Sequence, residues 1–158
     1  MALQKHIELL ASGNKNWNAW RREHYDVQAL EPNLHQADLR HADLRGIDFH
    51  GVDLTEANLQ HADLREADLS GTDLRHTNLE GADLSDANLQ KALMNGIDGY
   101  QTRFCRANMR GADLTNADLR SADFTGADTA RAIFDHAILD KPAKAAPSAT
   151  GETVKVSH

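Results

Sequence analysis

An all-β solenoid, a chain wound around aliphatic columns, is the fold class this sequence predicts, and three observations predict it. A large apolar residue recurs at every fifth position, from Leu34 through Leu39, Leu44 and Phe49 to Leu139. A small or β-branched residue stands two positions before each, from Ala37 to Ala137, and Asp or Asn usually lies between the two. The phase never slips; only Gly99 and Thr129 fail to supply a large group at their turn.

The apolar column decides against the two regular elements. A helix turns about 100° per residue, so a spacing of five scatters leucines around the whole cylinder. A straight strand alternates with period two, so an odd spacing throws successive leucines onto opposite faces. The backbone therefore bends once in every five residues, with the leucine and alanine columns inside and Asp and the two remaining positions outside. Asp and Asn suit the bends, because their short side chains hydrogen-bond nearby backbone groups.

Units such as ADLRH (37–41), ADLRE (62–66), ANLQH (57–61) and ADLTN (112–116) resemble the A(D/N)LXX units of the pentapeptide-repeat family. The resemblance covers about two thirds of the chain. It implies a right-handed quadrilateral β-helix with four units to a coil, so that residues 20 apart stack at about 4.8 Å. Leucine-rich repeats lack this period, and so do the calcium-binding nonapeptide repeats.

Given that coil, three predictions follow the stack. Leu54, Leu74 and Leu114 form one core column, and Leu64, Leu84, Phe104 and Phe124 another. Asn58 falls over Asn78 and Asn88 over Asn108; Asp73 and Asp113 bracket Leu93; Arg103 falls between Asp83 and Asp123. Arginines at 40, 45, 65, 75, 110 and 120 follow the leucine and band an acidic exterior.

An open terminal coil exposes apolar core and strand edge. Residues 1–32 are read as a short α-helical N-terminal cap: Leu3, Ile7 and Leu10 share a helix face, Gly13 and Asn14 end it, and Trp17 and Trp20 close the first coil. Trp-containing segments precede the repeats in some relatives of the family. Residues 33–139 are the β-helix. Residues 140–158, rich in Ala, Pro and Lys, are read as a disordered tail.

At 158 residues the chain has room for one domain of ordinary size, and a formal charge of −7 argues against direct nucleic-acid binding, which rests on Lys and Arg neutralising phosphates. No apolar run approaches the roughly 20 residues that cross a bilayer, and the N-terminus lacks a basic region followed by a long apolar stretch. The single Cys105 cannot pair internally, which fits a reducing compartment. A cytoplasmic protein is the expectation.

Several residues invite a sharper reading. Leu93, Met94, Gly99, Tyr100 and Arg103 interrupt the rhythm and form a candidate partner-binding or irregular loop. Ile133, Phe134, Ile138 and Leu139 leave an apolar edge that either the tail covers or a second subunit does, the favoured reading being a homodimer through the C-terminal coil. His41 and His61 should stack, but two ligands without a third make no specific metal site. Outward aspartates lack the converging cage calcium needs, and Cys105 reads as an exposed thiol. No nucleophile, base and orienting group form a recognisable set, so the expectation is no enzyme, no cofactor and no metal. The function expected is a protein-binding solenoid with an acidic, banded surface and a protein partner. Relatives that resemble duplex DNA and bind type II topoisomerases suggest a second reading, a DNA mimic acting on gyrase, although this rod is short and carries interspersed arginines. The competing class is a metal-binding or enzymatic protein using the His and Asp rows.

Overall fold

Each five-residue unit makes the same backbone excursion. The carbonyl of the apolar residue accepts the N–H three residues on, as from Ala37 to Leu34 at 2.9 Å and from Ala62 to Leu59 at 3.0 Å. The residue just before the small one has positive φ in every unit, 58° at His41, 57° at Glu56 and 66° at Gly51. A four-residue turn with a left-handed third residue is the arrangement of a type II turn, and glycine adopts it at no steric cost. Seven of the ten glycines stand there. Gly96 has a second reason, since a Cβ would come within 2.8 Å of the His76 ring.

The computed structural model describes residues 4–24, 32–140 and the strand at 155–156. Between corners, single parallel bridges pair residues 20 apart, from Asn33 with Asp53 to Asp118 with Ile138. Asn58 lies beside Asn78, Asn88 beside Asn108, and Arg103 between Asp83 and Asp123. Four units therefore make one square coil. Each coil donates to the next through the apolar residue and through the left-handed corner residue, as in Leu59 N to Asn78 O at 2.8 Å and His61 N to Glu80 O at 2.9 Å.

The interior is filled. Leu54, Leu64, Leu74, Leu84, Phe104 and Leu114 have no exposed surface and Phe124 only 2 %. The Phe104 and Phe124 rings stack at 5.1 Å, and Phe134 meets Phe124 edge-on. Each fully buried leucine contributes about 1.5–3 kcal/mol. Where Thr replaces Ala, its hydroxyl finds a carbonyl of the preceding coil: Thr72 donates to Phe49 O and Thr77 to Leu54 O.

Two helices lie against the first coil, α1 over Gln4–Ala11 and α2 over Asn14–Glu23, with Gly13 between them at φ 105°. The stripe 14, 17, 18, 21 of α2 crosses the coil edge at 45–50. Asn14 donates to Arg45 O, Trp17 Nε1 to Asp48 O at 2.7 Å and Arg21 to His50 O, while Asn18 donates to Gly46 O and accepts from Asp48 N. Trp17 is fully buried, edge-on to Phe49 at 5.4 Å. Trp20 does not close the coil as expected. It lies on the flank of that stripe, half-exposed, and stacks on His24 at 5.0 Å. On α1 the buried residues are His6 and Leu10, with Ile7 only partly buried; Leu3 lies outside the described residues. His6 Nδ1 accepts the N–H of Asn33, which fastens α1 to the first repeat.

At the other end β1, Ile138–Leu139, pairs in parallel with β2, Lys155–Val156. Of the tail read as disordered, 141–154 and 157–158 lie outside the described residues; the segment at 155–156 is a strand, which Val156 suits.

Candidate protein-binding surface

The exterior is built on one recurring hydrogen bond. At every Asp or Asn of the outward column from Asn33 to Asp128, the side-chain Oδ1 accepts the N–H two residues on. Such a bond is worth about 1 kcal/mol net. The carboxamide or carboxylate thus stands beside the bend and braces it, through the hydrogen bond to nearby backbone that the sequence reading expected.

Where the residue after the leucine is arginine, the same carboxylate is gripped twice more. In Asp38–Arg40, Asp43–Arg45 and Asp63–Arg65, Nε donates to Oδ1 at 2.8 Å and a terminal nitrogen to Oδ2 at 2.6 Å. Asp73–Arg75 and Asp118–Arg120 repeat the clamp. The guanidinium hydrogen bonds hold Asp38 and Asp43 down to about 2, and lower Asp63, Asp73 and Asp118 against the opposing effect of burial. Bidentate geometry fixes the side chains as well as the charge. Arg106 makes the equivalent clamp between coils, on Asp86.

The residues 93–103 form no loop. Hydrogen bonds run through them unbroken, from Leu93 N to Thr72 O and Gly99 N to Asp118 O, on to Arg103 N to Ala82 O. The irregularity lies in the side chains alone. Met94 is fully buried. Gly99 occupies a core position where a Cβ would meet Leu119 Cδ2 at 2.8 Å, so the leucine of the next coil fills its space. Tyr100 lies half-exposed beneath the Arg120 guanidinium at 5.9 Å. Arg103 reaches Asp83 at 3.5 Å and lines a polar groove of about 300 Å³ with Arg45, Arg65, Asp86 and Arg106. Leu93 alone of the hydrophobic members faces solvent, 41 % exposed.

The C-terminal set divides in the same way. Phe134 and Leu139 are core residues, 1 % and 4 % exposed, and Ile138 is half-buried. At Ile138–Leu139 the place assigned to a second subunit is taken by the chain's own Lys155–Val156. Only Ile133 is openly exposed, at 43 %.

Two features escaped the sequence reading. Cys105 is buried, not exposed, its Sγ 4.0 Å from Asp123 O; Ser85, at the same corner one coil earlier, is buried too, because short side chains there do not clear the neighbouring coils as arginines do. Leu93 and Ile133, read as belonging to two separate anomalies, share one outward column through Asp113. Their separation of forty residues, two coils, was the available signal. His41 and His61 do stack, rings 5.3 Å apart. Among the described residues no three His, Cys, Asp or Glu side chains converge as a metal cage, and no helix is long and apolar enough to cross a membrane.

The family described as Pentapeptide repeats matches in eight copies, over residues 33–71, 62–98 and 100–134. No curated protein matches the chain. Among solved structures, the chain is similar to a pentapeptide repeat protein from the thylakoid lumen of Arabidopsis thaliana. The two are 30% identical with a TM-score of 0.60, over 61% of this chain and 67% of that one. It is similar also to Rfr23 of the cyanobacterium Cyanothece, 27% identical with a TM-score of 0.69, over 80% and 96% of the two chains. QnrB1, a plasmid-mediated fluoroquinolone resistance protein, shares the fold at 24% identity and a TM-score of 0.59, over 73% of this chain and 62% of its own length. The square coil described above is accordingly a right-handed β-helix.

Proposed function

Because the chain belongs to the pentapeptide-repeat family, we propose that it is a non-enzymatic solenoid which binds a protein partner through its banded exterior. The observation that carries this is the division of the molecule into a filled interior and a braced outer lattice. With its leucine and phenylalanine columns buried to 9 % or less, the described coil is filled by its own side chains. What it offers is a surface whose polar groups are already held, so that little side-chain entropy is lost when another protein meets them. Over 32–140 the sequence carries nineteen acidic against ten basic side chains, which favours partners with complementary charge.

Affinity capture by the immobilised full chain from a lysate of its source cells tests the reading. A stoichiometric protein that free chain competes away supports it; capture of nothing specific overturns it. The second reading, a duplex-DNA mimic acting on a type II topoisomerase, draws on the same net charge. The arginine clamps on Asp38, Asp43, Asp63, Asp73 and Asp118 weigh against it, since they break the line of negative charge. A gyrase supercoiling assay unaffected by stoichiometric excess of the chain removes that reading. Metal analysis of untagged protein tests the metal-dependent class, which a stoichiometric ion would favour.

A further inference from the structure

Two aliphatic residues stand on one face where the repeat usually puts Asp or Asn. The bridges Leu93 to Asp113 and Asp113 to Ile133 place them two coils apart, about 9.6 Å by strand spacing. Both are openly exposed, and each forgoes the brace that Asp113, between them, makes to the Thr115 N–H at 3.0 Å. The Asp113 carboxylate also accepts from the Thr115 hydroxyl and the Asn95 side chain.

One corner beside this column is basic. Lys91 and Arg131 occupy it with Gly111 between them, and the Lys91 stem lies along that glycine, whose Cβ would meet Lys91 Cγ at 3.7 Å. Arg110 reaches Asp128 at 3.5 Å, whereas Lys91 and Arg131 make no ion pair among the described residues. The opposite corner carries Asn95, Thr115 and Asn116, with Asp135 and His136 at its Ile133 end.

We propose that the face of Leu93, Asp113 and Ile133 docks an amphipathic helix of a protein partner, lying along the solenoid axis. The helix carries apolar residues at i and i+7, a Lys or Arg at i+3 or i+4 against Asp113, and acidic residues along the edge that meets Lys91 and Arg131. An α-helix returns to nearly the same face after seven residues and about 10.5 Å, which matches the aliphatic pair. Same-face residues of a strand fall about 6.8 or 13.6 Å apart and miss it. The proposal rests on the protein-binding reading and names the partner's chemistry.

The probe is a synthetic Ala-rich helix of about 18 residues with Leu at i and i+7, Lys at i+4 and Glu along one flank, titrated against the full chain by fluorescence anisotropy. Saturable binding is expected, weakened about tenfold or more in the double variant Leu93→Asn, Ile133→Asn. A control peptide with the second Leu moved two positions on is expected to bind as weakly. Asn restores the missing brace, as at Asn58 and Asn78, so the variant should melt at or above the wild-type temperature and cannot lose binding by unfolding. Equal binding by wild type and variant overturns the proposal, and so does equal binding, or none, of the two peptides. The capture experiment repeated with the variant separates this from the broader reading. A partner that the variant still retains overturns this face and leaves protein binding intact, whereas no partner for either chain overturns both.

Discussion

The N-terminal end of the solenoid and its middle coils meet the same demand with different groups. Between the first coil and the second, as between the coils that follow, strand pairs with strand: Arg65 O, Asp68 O and Ser70 O accept Gly46 N, Phe49 N and Gly51 N, and Asp68 N donates to Ile47 O. On the opposite side of the first coil, among the described residues, α2 supplies the equivalents. Asn14 Nδ2 serves Arg45 O, Trp17 Nε1 serves Asp48 O, Arg21 serves His50 O, and Asn18 Oδ1 receives Asp48 N. A helix stripe of amide, indole and guanidinium groups thus imitates a strand edge. An exposed edge invites pairing with other chains, so side chains that satisfy it protect the fold without extending it.

The comparison can be broken most severely in the middle. Leu84→Asp places a carboxylate in a column with no exposed surface and no partner, at a cost above about 4 kcal/mol, and should abolish the cooperative thermal transition seen by circular dichroism. Trp17→Ala attacks the cap instead. It should cost about 3–5 kcal/mol, read from the urea midpoint, and hydrogen exchange should open the amides of Phe49 and Gly51 before those of the central coils. Asn18→Ala removes the imitated bond from Asp48 N and the additional one to Gly46 O and should cost about 1–3 kcal/mol; Asn18→Asp, which keeps only the acceptor for Asp48 N, should fall between wild type and Asn18→Ala. Smaller still is Gly51→Ala. At φ 66° with no atom within 4 Å of the new Cβ, it isolates the left-handed strain of one corner, about 1 kcal/mol.

The last test is acid. Asp38 and Asp43 titrate at about 2 in the folded chain against an ordinary 3.8. Carboxylates depressed on folding stabilise above the ordinary value and lose that contribution as pH falls through the folded one. The urea midpoint should therefore drop between about pH 4 and pH 2, and drop less in the double variant Arg40→Gln, Arg45→Gln.

The solenoid itself was legible, because its evidence is periodic. Leu54 and Leu74, or Asn58 and Asn78, predict each other's neighbours once four units make a coil. The left-handed corner was legible too, in glycines at 46, 51, 71, 81, 96, 111 and 126, yet went unread. The stretch at 93–103 misled, since a break in side-chain rhythm looks like a break in backbone, while Gly99 shows that the coil continues over a missing side chain. The cap was legible only as helix. Asn14 was read as the end of a helix, and Asn18 and Arg21 drew no reading.

Unaided, the five-residue spacing determined that the chain must wind and which residues lie inside, because a bend at a constant interval is a local rule repeated; which residues stand over one another followed only once the family resemblance supplied four units to a coil. The tertiary structure alone decided which stripe of α2 meets the first coil, that Cys105 is covered, and that Ile138–Leu139 pairs with Lys155–Val156. Those outcomes depend on how separate segments approach one another in space, and no local period encodes an angle of approach.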